Sequence, residues 1–239
     1  MTDSHLKRSV LITGVGKPGN LAHALLQAFA DRGDTIYAVG RKLSDVEASL
    51  AEVRQQGAMA HAFGAELTDE AEIERLMGEV GALTDGRLDA LVHAAGKFIP
   101  FGPVADGSLD TWQSAFANNA TSAFLTTRGS LPMLRMAQGA IVYIASVVAM
   151  DQEGMAPAGM ADYAAAKAAV VQLMRAVADE ERGVVRANVI APGGIKTEAM
   201  LAAIGDAPGM VTPQEVAAKV IHLAGPASGD ATGTVLLMG

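Results

Sequence analysis

The chain contains no cysteine in its 239 residues. That excludes disulfides and any mechanism built on a thiolate nucleophile, and it is consistent with a reducing compartment. Aromatic residues make up only 4%, so the core must be assembled from Ala, Val, Leu, Ile and Met. Charged residues are 18% and hydrophobic residues 50%, where the usual charged share is about 25%. A chain with so much apolar surface to bury and so little charge to keep it open is not disordered. Basic residues form no long run, and the formal net charge is −8. Contacts to a phosphate backbone need clustered Lys and Arg, so a nucleic-acid partner is not expected. The longest apolar run, Gly139 to Met150, falls well short of the ~20 residues that a membrane helix needs. The N-terminal residues lead straight into Val10-Leu11-Ile12 and Gly14 without a signal-peptide core or cleavage-like site. A cytoplasmic location and no membrane partner are the resulting expectations.

Glycine is in surplus, with 26 residues against an average usage of about 7%. The surplus has no collagen-like period, so it is expected at turns and close backbone approaches. Short β-rich runs alternate with longer helical stretches. Strands are predicted over Ser9–Thr13, Thr35–Val39, Ala58–Phe63, Ala90–His93, Ala140–Ala145, Val184–Ile190 and Thr234–Met238. Several are continuous apolar runs, as parallel strands covered on both faces require. Helical windows lie at 20–32, 44–56, 69–82, 110–136, 161–181 and 213–224. Six helices between seven strands imply βαβ units and a doubly wound, mostly parallel sheet with helices on both faces. No linker, repeat or low-complexity tract divides the chain, which reads as one domain over residues 1–239.

The first strand runs into Thr13-Gly14-Val15-Gly16-Lys17-Pro18-Gly19-Asn20, and a helical stretch follows. Gly14, Gly16 and Gly19 have the G-x-G-x-x-G spacing that lets the backbone turn tightly and approach a pyrophosphate at a helix N-terminus. An isolated match would be an ordinary glycine-rich connection. After the first strand of an alternating α/β chain, it is where a dinucleotide site belongs. The second strand ends Gly40-Arg41-Lys42 without a carboxylate to hold a ribose 2′-hydroxyl. Arg41 can pair with a 2′-phosphate, and Lys17 in the glycine turn is placed to reach the same group, so NADP(H) is the expected cofactor.

Tyr163 and Lys167 share one helix face at i, i+4. A phenol with a pKa of about 10 is a poor acid or base at neutral pH. A cation one turn away is expected to favour its anion. The pair suits proton exchange with a carbonyl or hydroxyl oxygen while hydride moves at the carbon. Ser146, just past the strand that ends at Ala145, falls at the sheet edge where ligands bind in such folds.

Thr13-Gly14-x-x-x-Pro18-Gly19, His93-Ala94-Ala95-Gly96, Asn119, Ser146, Tyr163-x-x-x-Lys167 and Pro192-Gly193 occur in one order along the chain. The ordered set resembles the short-chain dehydrogenase/reductases over essentially the whole chain. The resemblance implies a single-domain Rossmann fold. It makes Tyr163 the acid/base, Ser146 the residue that orients the substrate oxygen, and Lys167 the ligand of the nicotinamide ribose. Asn119 would support a water-mediated proton relay to Lys167. The glycine turn with Asn20, then Arg41, Glu66, Leu67, Ala94, Ala95 and Gly96, would bind the rest of the cofactor. Pro192, Gly193, Ile195 and Thr197 would line the nicotinamide pocket. No metal site is implied.

The chain departs from the family pattern at several points. Pro18 and Asn20 stand where glycine is usual, and Pro18 has no backbone N–H to offer a phosphate. Phosphate binding then falls to neighbouring amides or the Asn20 side chain. His93 replaces the first Asn of Asn-Asn-Ala-Gly and reads as a satisfied core residue. Ser122 replaces a common Gly. Tyr163 follows Ser146 by 17 positions, with Met150 to Met155 as the extra loop, and Thr197 to Thr212 is short, implying an open pocket.

The windows 110–136 and 161–181 are apolar beyond a single stripe, which one sheet face does not cover. In the family these helices pair between subunits, so a homotetramer or homodimer is expected. The function expected is hydride transfer between NADP(H) and a small carbonyl or alcohol. The alternative is a catalytically idle NADP-binding or regulatory protein of the same fold.

Overall fold

The computed structural model describes residues 7–98, 102–150 and 158–239. Its frame is built from the runs whose side chains can be buried on both faces. Seven strands form among the described residues, β1 (Ser9–Thr13), β2 (Thr35–Gly40), β3 (Ala60–Gly64), β4 (Ala90–His93), β5 (Ala140–Ile144), β6 (Arg186–Pro192) and β7 (Val235–Met238). They make one sheet in the order β3-β2-β1-β4-β5-β6-β7, and every pairing is parallel. Among the described residues, eight α-helices connect or flank them, α1 (Leu21–Asp31), α2 (Leu43–Gln55), α3 (Glu70–Leu83), α4 (Leu109–Phe116), α5 (Ser122–Ala137), α6 (Ala161–Glu180), α7 (Glu198–Ile204) and α8 (Pro213–Ala224).

Alternation along each strand divides the core into two layers. Leu11, Tyr37, Leu91, Ile141 and Val189 face α3, α5 and α6. Val10, Ile12, Ile36, Val92 and Ile190 face α1, α2 and α8. Each fully buried Leu, Ile or Phe contributes ~1.5–3 kcal/mol relative to exposure. The few large aromatic side chains in this core sit where a partner exists, as with the buried Tyr143 hydroxyl 2.8 Å from Thr127 Oγ1. Among the described residues, no helix is long and apolar enough to cross a membrane.

Two local results differ from the sequence expectation. The window 110–136 is not one uniform helix. Between α4 and α5 the chain widens into a π-helical segment, Ala117–Thr121, in which the Ser122 N–H reaches back to the Ala117 carbonyl. A second difference is α7, which forms between Thr197 and Thr212, outside the predicted helical windows. Thr197 caps it by accepting from the Met200 N–H at 3.3 Å. The extra loop expected around Met150 to Met155 lies outside the described residues from Asp151 onward.

The sheet order reverses between β1 and β4. In a parallel sheet of this kind the crossovers leave in opposite directions at that point, and a crevice opens beyond the carboxyl ends of the two strands. The glycine turn after β1 and the segment Ala94–Gly96 after β4 both stand there.

Candidate active site

At this crevice the backbones of the two segments approach so closely that a side chain would not fit. A Cβ on Gly14 would stand 2.6 Å from the Ala95 nitrogen, and Gly14 has a φ of +77°. Glycine is therefore required twice over, by conformation and by space. Asn20 stops the turn and starts α1 by accepting from the His23 N–H through its side-chain oxygen at 3.2 Å. That oxygen is committed to the cap. Only the amide NH2 of Asn20 remains to meet an anion, and it lies on the Gly16 side of the turn.

A cleft of about 550 Å³ runs outward from Gly14 and Gly16. Arg41, Glu66, Leu67, Ala95 and Gly96 all line it, as expected. Arg41 is exposed and makes no ion pair among the described residues. The Glu66 carboxylate is held by the Thr68 N–H and hydroxyl, at 3.2 and 2.9 Å. Lys17 does not line the cleft and is exposed beside it. Lys42 and Lys97 line the cleft with Arg41 instead. Lys42 was visible in the run Gly40-Arg41-Lys42, and the missing signal was the direction in which α2 leaves β2. Asn118 and Ser122 also line the cleft and were not assigned to it.

Gly19, Asn20 and Ala94 stand at the same edge without lining the cleft. Pro192 ends β6, and Gly193, Ile195 and Thr197 lie beyond it. There the Gly193 N–H bonds the Met238 carbonyl at 2.8 Å, and Ile195 bridges to Val211. The start of α7 links the two halves, since a Cβ on Gly19 would stand 3.5 Å from Glu198 Oε2.

The four residues expected to carry chemistry occupy the neighbouring edge. Asn119 is fully buried in the π-helical segment. Its Nδ2 donates to the carbonyls of Ala115 and Lys97 at 2.9 and 3.0 Å, and its Oδ1 accepts from the Lys97 N–H at 3.3 Å. Lys167, also buried, donates to the Ile144 carbonyl at 2.9 Å. A Cβ on Gly96 would fall 2.8 Å from Asn119 Oδ1 and 2.9 Å from Lys167 Nζ, so these three residues meet at one point. Ser146 lies near enough to the Tyr163 hydroxyl to favour its anion, and its own Oγ accepts from the Val148 N–H at 3.4 Å. Lys167 Nζ lies 5.8 Å from the centre of the Tyr163 ring. The Tyr163 ring borders a second cavity of about 260 Å³ that also includes Met160 and Asp162.

The electrostatics correct one expectation. Burial is the largest influence on Tyr163 and pushes its hydroxyl up to about 12, against the smaller lowering effect of Ser146. The anticipated stabilisation of the phenolate by Lys167 does not govern this state. Burial also lowers Lys167 to about 8. His93 is buried and held down to about 3, first by burial and then by the positive charge of Lys167. It is neutral and hydrogen-bonded, in keeping with its reading as a satisfied core residue.

A glycine cradle, a cleft lined by Arg41, Lys42 and Lys97, and a buried Tyr–Lys pair on one sheet edge together suit an anionic dinucleotide beside a proton donor. The model of the short chain dehydrogenase family matches residues 8–207. The chain belongs to this family. It is an oxidoreductase family that works with nicotinamide cofactors. The chain is 35% identical to a cyclopentanol dehydrogenase of Comamonas testosteroni, over 83% of this chain and 77% of that one. It is 36% identical to an inactive 2-(S)-hydroxypropyl-CoM dehydrogenase of Xanthobacter autotrophicus, over 74% of each. A crystal structure of a short-chain dehydrogenase/reductase from Burkholderia xenovorans superposes with a TM-score of 0.85 at 31% identity, covering 97% and 94% of the two chains.

Proposed function

We propose that this chain is an NADP(H)-dependent reductase of ketones or aldehydes, working in reverse as an alcohol dehydrogenase. The observation that carries the reading is the meeting of Asn119, Ser146, Tyr163 and Lys167 beside the cleft. The cleft residues fit a dinucleotide, because Gly14 leaves its cradle free of a Cβ and Arg41 and Lys42 stand at its mouth. The glycine turn would hold the pyrophosphate with the Asn20 amide, Arg41 the 2′-phosphate, and Glu66 with Leu67 the adenine. Pro192, Gly193, Ile195 and Thr197 would hold the nicotinamide end.

When bound, the cofactor supplies or accepts the hydride. Tyr163, fully protonated at neutral pH because burial holds it near 12, gives its proton to the carbonyl oxygen. Ser146 donates a second hydrogen bond to that oxygen, and Lys167 restores the proton to Tyr163 through the Asn119 end of the site. General acid help of this kind is worth ~10²–10⁴ in rate. The decisive experiment is Tyr163→Phe assayed with NADPH and a panel of ketones and aldehydes. Turnover should fall at least ~100-fold while NADPH affinity stays within a factor of three. Retention of most turnover overturns the assignment.

A second reading, an idle NADP-binding or regulatory protein, is favoured by Pro18 in the phosphate turn and by the inactive dehydrogenase among the relatives. Tight NADPH binding with no turnover across the panel would establish it. We also propose that the chain assembles as a homotetramer, or at least a dimer, through α4, α5 and α6.

A further inference from the structure

Four hydrogen bonds form a continuous buried chain behind the cleft. The Ala95 N–H donates to Thr13 Oγ1 at 3.1 Å. Thr13 Oγ1 is 3.2 Å from His93 Nδ1, and His93 Nε2 is 3.5 Å from Ser122 Oγ. Ser122 Oγ donates to the Asn118 carbonyl at 3.0 Å. All three side chains are at most 2% exposed.

The Ser122 end fixes the direction of the protons, since the Thr13 hydroxyl can accept from the Ala95 N–H and either give to or accept from the ring. In a regular α-helix the Asn118 carbonyl would accept from the Ser122 N–H. In the π-helical segment that N–H goes to Ala117 instead, and the Ser122 hydroxyl serves Asn118. The hydroxyl has one proton and has spent it, so toward His93 it accepts. His93 therefore carries its proton on Nε2, and Nδ1 accepts from the Thr13 hydroxyl. The neutrality of His93 follows from its depth, and a second ring proton would face a hydroxyl oriented to donate.

We propose that His93 is a positioning residue, whose Nε2–H tautomer ties the π-helical segment carrying Asn119 to the glycine turn and to the segment Ala95–Gly96. The consequence runs through Asn118 and Asn119. Closing the π-helical turn into an α-turn would rotate Asn119 away from Lys97, and the Asn119–Gly96–Lys167 meeting point would open. Thr13 precedes Gly14, so the same ring also sets the spacing between the glycine cradle and Ala95. π-helical turns of this kind concentrate at functional sites, and here the stabilising partner lies on the sheet rather than within the helix.

The catalytic part of the inference rests on the reductase reading, so the test has one arm that does not. In wild-type protein labelled with ¹⁵N-histidine, NMR should show a protonated Nε2 and an unprotonated Nδ1 for His93, unchanged between pH 8 and pH 5. A Nδ1–H tautomer, or formation of the imidazolium in that range, overturns the proposal whatever the activity. In the second arm Ser122→Ala and His93→Phe are made singly and together. Ser122→Ala removes one hydroxyl and keeps the fold accessible if the ring replacement does not. Each single change should lower kcat roughly tenfold, with carbonyl KM altered less than twofold and the Asn119 side-chain amide resonances displaced. The double variant should lose little more than the worse single one, because both break one chain. Losses that multiply, or a kcat and Asn119 resonances unchanged in Ser122→Ala, overturn it. If the wild type shows no turnover, the reductase reading falls, and the tautomer and Asn119 resonances still decide the positioning role.

Discussion

Lys167 Nζ is bound to the Ile144 carbonyl at 2.9 Å, and the same ammonium lies 5.8 Å from the centre of the Tyr163 ring. The lysine thus spends a hydrogen bond on β5 while holding its charge under the catalytic candidate. Buried charge is costly to fold, and burial lowers Lys167 from an ordinary value near 10.5 to about 8. The sign follows from proton counting. Between pH 8 and 10.5 the unfolded chain binds more protons at this site than the folded one, so folding stability rises with pH there. Lys167→Met removes the titration. The variant should gain on the wild type below pH 8 by on the order of 3 kcal/mol, before the constant loss of the Ile144 hydrogen bond. That gain should fade as pH approaches 10.5. Urea unfolding of both cofactor-free proteins at pH 7 and pH 10 measures it. A stability difference that does not change with pH refutes the assignment.

Gly14 and Gly33 share a left-handed backbone, with φ of +77° and +78°, but only Gly14 faces neighbours. A Cβ there meets the backbone of Ala94 and Ala95 within 2.8 Å, whereas Gly33 has nothing within 4 Å. Gly33→Ala should cost only backbone strain, ~1–2 kcal/mol. Gly14→Ala should cost that and more, because β1 and β4 must separate, and NADPH binding should fail with it. At this chain length the Gly14 variant should melt roughly 4–10 °C below wild type, clearly lower than the Gly33 variant. Equal melting temperatures would show that the close approach is not what requires glycine.

Much of this fold was legible because its strands are apolar runs bounded by turn residues. β1 and β4 begin and end where expected. β3 starts two residues later than expected, at Ala60, because α2 runs to Gln55 and Gly57, with φ +93°, makes the turn. The π-helical segment was not legible. It depends on one exchanged hydrogen bond at Ser122, and the apolar spacing through 110–136 continues across it. α7 did carry its signals, a Thr197 cap, helix-forming residues and Gly205 after the last turn. Its seven residues are too few for periodicity to declare. The site residues were placed in order by motif, but the charge state of Tyr163 was misjudged. Spacing told how near Lys167 lies along the helix, and only the packed structure told how deeply Tyr163 is buried.

Arg41 and Lys42 stand together at the mouth of the cleft, and neither makes an ion pair among the described residues. Charge-assisted hydrogen bonds to a phosphate contribute about 1.5–3 kcal/mol. Arg41→Ala should therefore weaken NADPH binding by roughly 10–100-fold and NADH binding by less than threefold. Lys42→Ala should act in the same direction more weakly, as a point charge without the bidentate fork. Fluorescence titrations of the three proteins with each cofactor at one fixed ionic strength compare the six affinities, since exposed charges are screened by salt. Tighter NADH than NADPH binding in the wild type would refute the choice of cofactor.

The assembly proposed for α4, α5 and α6 leaves a mark on the isolated chain. Leu109, Trp112 and Phe124 are 69%, 41% and 47% exposed. The Phe124 ring lies under the Arg128 guanidinium at 5.5 Å, and Arg128 pairs with Glu70. These three large apolar side chains on α4 and α5 are left exposed, which water disfavours. If they are buried between subunits, Phe124→Glu places an unpaired carboxylate in that contact and should dissociate the assembly with little effect on the monomer fold. Light scattering should return a mass of two or four chains for the wild type and a smaller assembly for the variant. A wild-type mass equal to a single 24.5 kDa chain would sink the proposal.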